Sequence, residues 1–156
     1  MKTFLKTLWL LAPLIACFAL SGPARADCAT NNLGQMVCGS GQCLQNNMGQ
    51  VICGAGQCMR NNMGAVICAP AMGAGCAMNN MGQVICATTP FGTCVVNNMG
   101  AVVCGAGQCM QDSMGLIICA NAQGAGCAMN DLGRVICSNV PFGSCGRNNL
   151  GEVVCT

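Results

Sequence analysis

Cys43-Leu-Gln-Asn-Asn-Met-Gly-Gln-Val-Ile-Cys53 is one copy of an eleven-residue unit that this chain repeats eight times. The copies are Cys28–Cys38, Cys43–Cys53, Cys58–Cys68, Cys76–Cys86, Cys94–Cys104, Cys109–Cys119, Cys127–Cys137 and Cys145–Cys155. A fixed internal period decides the architecture before any local reading does, because each repeat is one supersecondary unit that needs its neighbours.

The centre of the unit reads as a turn. Its last position is glycine in every copy: Gly34, Gly49, Gly64, Gly82, Gly100, Gly115, Gly133 and Gly151. A glycine that persists while its neighbours vary marks a backbone position needing φ > 0. Asn46 then takes position i of a type I turn, Asn47 and Met48 the central pair, and Gly49 position i+3. This is the three-residue hairpin loop in which a left-handed glycine forms a bulge. The first turn position is Asn or Asp in all copies, Asp112 included, and such side chains hydrogen-bond the turn backbone. The turn sets the register: Gln45 faces Val51, Leu44 faces Ile52, and Cys43 faces Cys53. If the closing pair beside the bulge is hydrogen-bonded, the cysteines form a non-bonded pair, the closer kind, within reach of a disulfide.

The linkers vary while the units do not. They hold four residues (39–42, 54–57, 105–108) or seven (69–75, 87–93, 120–126, 138–144). A Cys53–Cys58 bridge across a short linker is sterically possible, but a staple of fixed geometry belongs across the segment of fixed length. A larger period is superposed. Residues 43–93 and 94–144 align without gaps at 33 of 51 positions, which points to duplication of a three-unit block.

Residues 1–26 have the form of a secretory signal. Lys2 and Lys6 precede an apolar run from Leu8 to Leu20, and Ala24-Arg25-Ala26 is a small-x-small cleavage site. Leu14-Ile15-Ala16-Cys17 offers a lipobox as the alternative, with a lipid anchor at Cys17. A retained membrane helix is disfavoured by the short run and its Ser21-Gly22-Pro23 end. Removal of the signal leaves sixteen cysteines, all in the repeats. An exported chain meets oxidising conditions, where dense, evenly spaced cysteine reads as a disulfide framework. The expected location is the periplasm, the envelope or the exterior.

Composition removes several function classes. Residues 27–156 carry Arg60, Arg134 and Arg147 against Asp27, Asp112, Asp131 and Glu152, a net charge of −1. With no basic patch and only Phe91 and Phe142 as aromatics, nucleic acid is a poor partner. Histidine is absent, and a nucleophile usually needs a general base. The carboxylates do not converge in sequence. No Cys-x-x-Cys, P-loop or dinucleotide-binding pattern occurs. Enzymatic activity and a resident cofactor are therefore not expected.

Soft-metal chemistry is the rival. Cysteine and methionine suit Cu(I) and related ions. Structural zinc sites usually show close cysteine pairs, whereas the spacings here are ten, five and eight. Turn methionines such as Met48 and Met63 alternate with Leu33, Leu132 and Leu150. Leucine cannot replace a thioether ligand but can replace a packing residue.

The repeats, with Cys-Gly-x-Gly-Gln-Cys at Cys38–Cys43, Cys53–Cys58 and Cys104–Cys109 and Gly-x-x-x-Cys at the unit ends, resemble small secreted cysteine-rich repeat proteins of bacteria. The resemblance implies no activity.

The expectation is an all-β, disulfide-rich array of eight short hairpins. Val51 and Ile52 point to opposite faces, so each hairpin seeks neighbours, and a lone hairpin is marginal in water. Two assemblies fit: a stacked β-solenoid, which would line up asparagines and disulfide rungs, or a continuous antiparallel meander. The functional expectation is a non-enzymatic, exported structural or adhesive protein that self-associates or binds an envelope partner, with copper or zinc sequestration as the alternative.

Overall fold

The computed structural model describes residues 26–156. The expected export signal up to Arg25, and with it the Cys17 alternative, lies outside the described residues. Every regular element is a short β-strand, and strands pair two by two in chain order. The hairpins are β1 (Ala26–Thr30) with β2 (Met36–Ser40), β3 (Gln42–Gln45) with β4 (Val51–Gly54), β5 (Cys58–Arg60) with β6 (Val66–Cys68), and β7 (Cys76–Met78) with β8 (Val84–Cys86). The second half repeats the pattern: β9 (Cys94–Val96) with β10 (Val102–Cys104), β11 (Cys109–Gln111) with β12 (Ile117–Cys119), β13 (Cys127–Met129) with β14 (Val135–Cys137), and β15 (Cys145–Arg147) with β16 (Val153–Cys155).

Turn chemistry dictates each hairpin. In the second unit Gly49 donates its N–H to the Asn46 carbonyl (3.0 Å), and Asn46 donates to the Gln50 carbonyl (2.8 Å). The Asn46 side-chain oxygen accepts from Met48 and Gln50, at 3.0 and 2.9 Å. The same two side-chain bonds recur in all eight turns, with Asp112 serving as well as Asn. The eight turn glycines have φ between 76° and 85°. No central turn residue has positive φ, which leaves type I rather than the primed turns.

From that turn the ladder counts down to the base. The pairs are Gln45↔Val51, Leu44↔Ile52 and Cys43↔Cys53. Bonded and non-bonded pairs alternate, so the cysteines fall in the close class, with Cα–Cα distances of 4.0–4.1 Å in all units. Each of the eight disulfides joins the two cysteines of a single unit.

Neighbouring hairpins share no strand ladder among the described residues. A continuous meander would pair β2 with β3, and a solenoid built on strand ladders would pair β3 with β5. Instead every sheet stops at two strands. The units meet at their two ends. At the turn end, the second Asn of one unit donates its N–H to the turn-glycine carbonyl of the next: Asn32 to Gly49 (3.2 Å), Asn47 to Gly64 (3.1 Å), Asn62 to Gly82 (3.2 Å) and Asn80 to Gly100 (3.1 Å). Ser113 to Gly133 (3.0 Å) and Asp131 to Gly151 (3.1 Å) continue the series. At the base end, the residue before a unit's first cysteine donates to the following linker at six of the seven junctions, as in Gln57 to Ala74 (2.8 Å) and Gly126 to Gly143 (2.8 Å). A three-residue loop leaves the second Asn N–H pointing out of its own hairpin, so it needs an external acceptor.

Little apolar volume is enclosed. The buried residues are chiefly cystine sulfur and the linker alanines Ala69, Ala74, Ala87, Ala120 and Ala125. Linker length and side-chain size go together. Gly54 opens a four-residue linker, and a Cβ there would overlap Cys68 of the next unit. Ala69 opens a seven-residue linker and keeps its methyl, fully buried.

Two constraints act on the turn glycines, and the first unit separates them. A Cβ on Gly64 would overlap the Asn47 side chain of the preceding unit, whereas a Cβ on Gly34 would meet none of the described residues within 4 Å. Gly34→Ala should therefore carry only the left-handed backbone penalty, about 1–2 kcal/mol. Gly64→Ala should lose roughly 1–3 kcal/mol more through overpacking. Denaturant unfolding of the oxidised proteins measures the difference; equal losses would contradict the close approach of the units.

Candidate functional surface

The turn tips carry the most exposed apolar groups. Leu33, Met48, Met63, Met81, Met99, Met114, Leu132 and Leu150 occupy one equivalent turn position and are 75–85% exposed. Backbone hydrogen bonds tie adjacent turns together at six of the seven junctions, so these side chains lie at neighbouring turn ends. Shallow grooves lie between neighbouring tips, one bordered by Met99, Met114, Val103 and Ile117, another by Leu132, Leu150, Ile136 and Val153. The Met/Leu exchange had suggested packing inside the molecule. The structure places these side chains at position i+2 of a type I turn, which projects beyond the hairpin end, and none of the described residues covers them there. The half-buried Met59 and Met110, one residue after a first cysteine, are the methionines that pack against the alanine clusters.

A second apolar feature sits at the linkers. The Phe91 and Phe142 rings meet edge-to-face, 5.6 Å between centroids, a favoured aromatic geometry. Both residues have left-handed backbones, φ 59° and 57°. The equivalent positions of the other seven-residue linkers are Gly73 and Gly124, at φ 64° and 62°. The linker thus imposes the conformation and glycine satisfies it freely. In Phe91 and Phe142 a bulky side chain tolerates it, and each ring lies over the glycine of the preceding long linker. The gapless alignment of 43–93 with 94–144 makes Phe91 and Phe142 equivalent positions, but no residue pattern there signals this backbone strain.

The charged groups do local work. Asp112 caps its turn. Asp27 accepts from the Cys28 and Cys43 N–H groups, at 3.0 and 3.3 Å. Arg60 reaches the Gln45 carbonyl of the preceding unit. Asp131 pairs with Arg147 at 2.6 Å, both side chains more than half exposed, a pair worth at most about 1 kcal/mol. Glu152 accepts from Asn148 Nδ2 at 3.3 Å.

The sulfurs form the most regular feature. All sixteen repeat cysteines, from Cys28 to Cys155, are in disulfides. Among the described residues no thiolate remains for the metal-sequestration alternative, and no group of three or more His, Cys, Asp or Glu side chains there is arranged to hold a metal ion. The sulfur of each first cysteine lies against a carbonyl of the preceding unit, as in Cys43 on Asp27 (3.1 Å), Cys58 on Gln42 (3.1 Å) and Cys109 on Thr93 (3.4 Å). A bridged sulfur carries no hydrogen, so these are direct sulfur–oxygen contacts. The cysteine N–H in a non-bonded pair points away from its own hairpin, and the preceding unit supplies an acceptor. Gln42, Gln57 and Gln108 give a side-chain carbonyl at 2.7–2.9 Å, and Thr93 gives its hydroxyl at 2.8 Å.

No protein-family model, no curated protein and no solved structure matches this chain.

Exposure makes the turn tips chemically distinguishable. Thioether oxidation by dilute peroxide, followed by peptide mass spectrometry, should modify Met48, Met63, Met81, Met99 and Met114 well before Met59 and Met110. Equal rates would contradict the projecting tips.

Proposed function

We propose that this chain is a non-enzymatic, exported structural protein in which the eight stapled hairpins stack into a column. Its row of turn tips forms an adhesive edge toward other apolar or envelope surfaces. The observation that carries the reading is the contrast between covalent closure and core. Eight short loops are each closed by a disulfide, while among the described residues no large side chain is fully buried. In the chain-entropy account, each closure of about eleven residues contributes roughly 2.5–3 kcal/mol. A chain stabilised in this way suits an oxidising compartment and gives up the deep, shaped cavity that small-molecule chemistry uses. Soluble proteins rarely leave a contiguous apolar row in water without a use for it.

The stacking itself is supported by the hydrogen bonds that tie each turn and linker to the next. At the turn end they run from donor in the earlier unit to acceptor in the later one, while between long linkers Phe91 donates back to Met72 and Phe142 back to Gln123. Such a repeat is quasi-one-dimensional: each unit touches its neighbours, and length adds surface rather than core.

The test uses unreduced protein from the exported fraction. No reactive thiol should be found between Cys28 and Cys155, and peptide mapping should recover within-unit pairs. The wild type should be retained on apolar beads and in the envelope fraction. A variant with Met48, Met63, Met81, Met99 and Met114 changed to Ser should keep the same map, lose no more than about 0.5 kcal/mol per site, and be released from both. Many free thiols with bound copper or zinc would overturn the scaffold reading, and undiminished retention of the variant would overturn the adhesive one.

A further inference from the structure

We infer that the two ends of the array are complementary, and that copies of this chain join head to tail, the last unit of one against the first unit of the next. The inference rests on the stacked arrangement proposed above and names its partner as a second copy.

Each internal junction has the same parts. The earlier unit offers a backbone N–H and a side chain from its second turn residue, and a carbonyl with a side-chain acceptor just before its first cysteine. The later unit offers a turn-glycine carbonyl, an open place over that glycine, a cysteine N–H and a cystine sulfur. At six junctions the turn-end backbone bond is present, at 3.0–3.2 Å. At all seven, the glycine's open place is taken by the preceding Asn, Ser or Asp side chain.

The terminal units hold the unmatched halves. Among the described residues Gly34 has nothing within 4 Å of where a Cβ would lie, and its carbonyl accepts no hydrogen bond there. Cys28 is exposed, whereas Cys43, Cys58, Cys76, Cys109 and Cys127 are buried under a preceding unit. At the other end Asn149 is exposed, and among the described residues its N–H donates to no backbone acceptor. Ser144 stands where Thr93 stands in the preceding block. Its hydroxyl lies 3.2 Å from the Thr156 hydroxyl, and the Cys28 N–H already donates to Asp27 Oδ1 at 3.0 Å, so the unmatched groups are those of the turn end. The unmatched acceptor thus lies at the Gly34 turn and the unmatched donor at the Asn149 turn. Such an interface is heterologous, and it makes open chains rather than closed dimers unless the rotation closes.

A linker is not needed for the fit. Junctions spanned by four residues and by seven show the same turn-end bond, as at Asn47–Gly64 and Asn62–Gly82. The covalent linker therefore raises the local concentration of the next unit without shaping the contact.

The test uses exported protein whose N-terminus has been read by mass spectrometry, with sedimentation velocity across a wide concentration range. Wild type should form a ladder of oligomers. Two variants each block one end without disturbing the hairpin. Asn149→Pro removes the donor at position i+1 of a type I turn, where proline is favoured. Gly34→Asn places a side chain over the open glycine, and Asn tolerates positive φ. Each alone should weaken association by about tenfold or more. Mixed together, they should yield a heterodimer that grows no further, since only one compatible pair of ends remains. A wild type that stays monomeric, or variants that assemble as it does, would overturn the inference. Circular dichroism and the disulfide map separate the two ideas. Cross-unit bridges would undo the stacked reading itself, while within-unit bridges in a monomer would undo head-to-tail joining alone.

Discussion

The cystine at the foot of each hairpin is the constraint on which the other features depend. A two-stranded ribbon of three-residue strands has too few ladder bonds to hold itself in water. Closing its base removes most of the open conformations that would compete with it. Once closed, the ribbon has a fixed outline, and that outline decides what its neighbour must be. The bridged sulfurs face the carbonyl of the preceding unit at 3.1–3.4 Å. The cystine N–H groups face outward to a Gln or Thr acceptor there. One covalent bond thus closes a unit and also forms part of the surface on which the next unit sits.

Close approach explains the rest of the composition. Units that meet backbone to backbone leave no room for side chains at the points of meeting. Hence glycine occupies the turn, where the preceding Asn lies against it, and glycine opens the short linkers, where the next cystine lies against it. Longer linkers relax the second requirement, and alanine appears there, forming with the cystines most of the small core of the described residues. Large apolar residues are not missing from the chain. They are displaced to the hairpin tips, where the geometry has space for them.

Much of this was legible from the residues. The recurrent Asn-x-x-Gly fixed the turn, the turn fixed the register, and the register brought Cys43 opposite Cys53 without reference to any partner. What stayed illegible depends on contacts between units rather than within them. Nothing in Asn47 alone says that its side chain will lie beneath Gly64, since a second turn Asn is ordinary in a free hairpin. The turn methionines looked like packing residues because hydrophobicity signals burial only on average, and a projecting tip is one of the places where that average fails. Phe91 and Phe142 were noticed as matched positions, but their left-handed backbones follow from the linker path that Gly73 and Gly124 share.

A repeat whose interfaces are all alike has a consequence that a conventional core does not. In a globular domain the last element buries its apolar face against something unlike itself, and the surface closes. Here each unit presents two different faces, and satisfying one always exposes the other in the next unit. Adding units moves the unmatched donor and acceptor further apart without removing either. The matching blocks 43–93 and 94–144 lengthen the array in this way. Solenoid proteins ordinarily stop such growth with polar capping segments. Thr156 bonds back to Ser144 and Ser138 at the final linker, yet it covers the base of the last unit and not its turn. The turn end, where the Asn N–H and the open glycine lie, is the part of each terminal face that the described chain leaves without a partner.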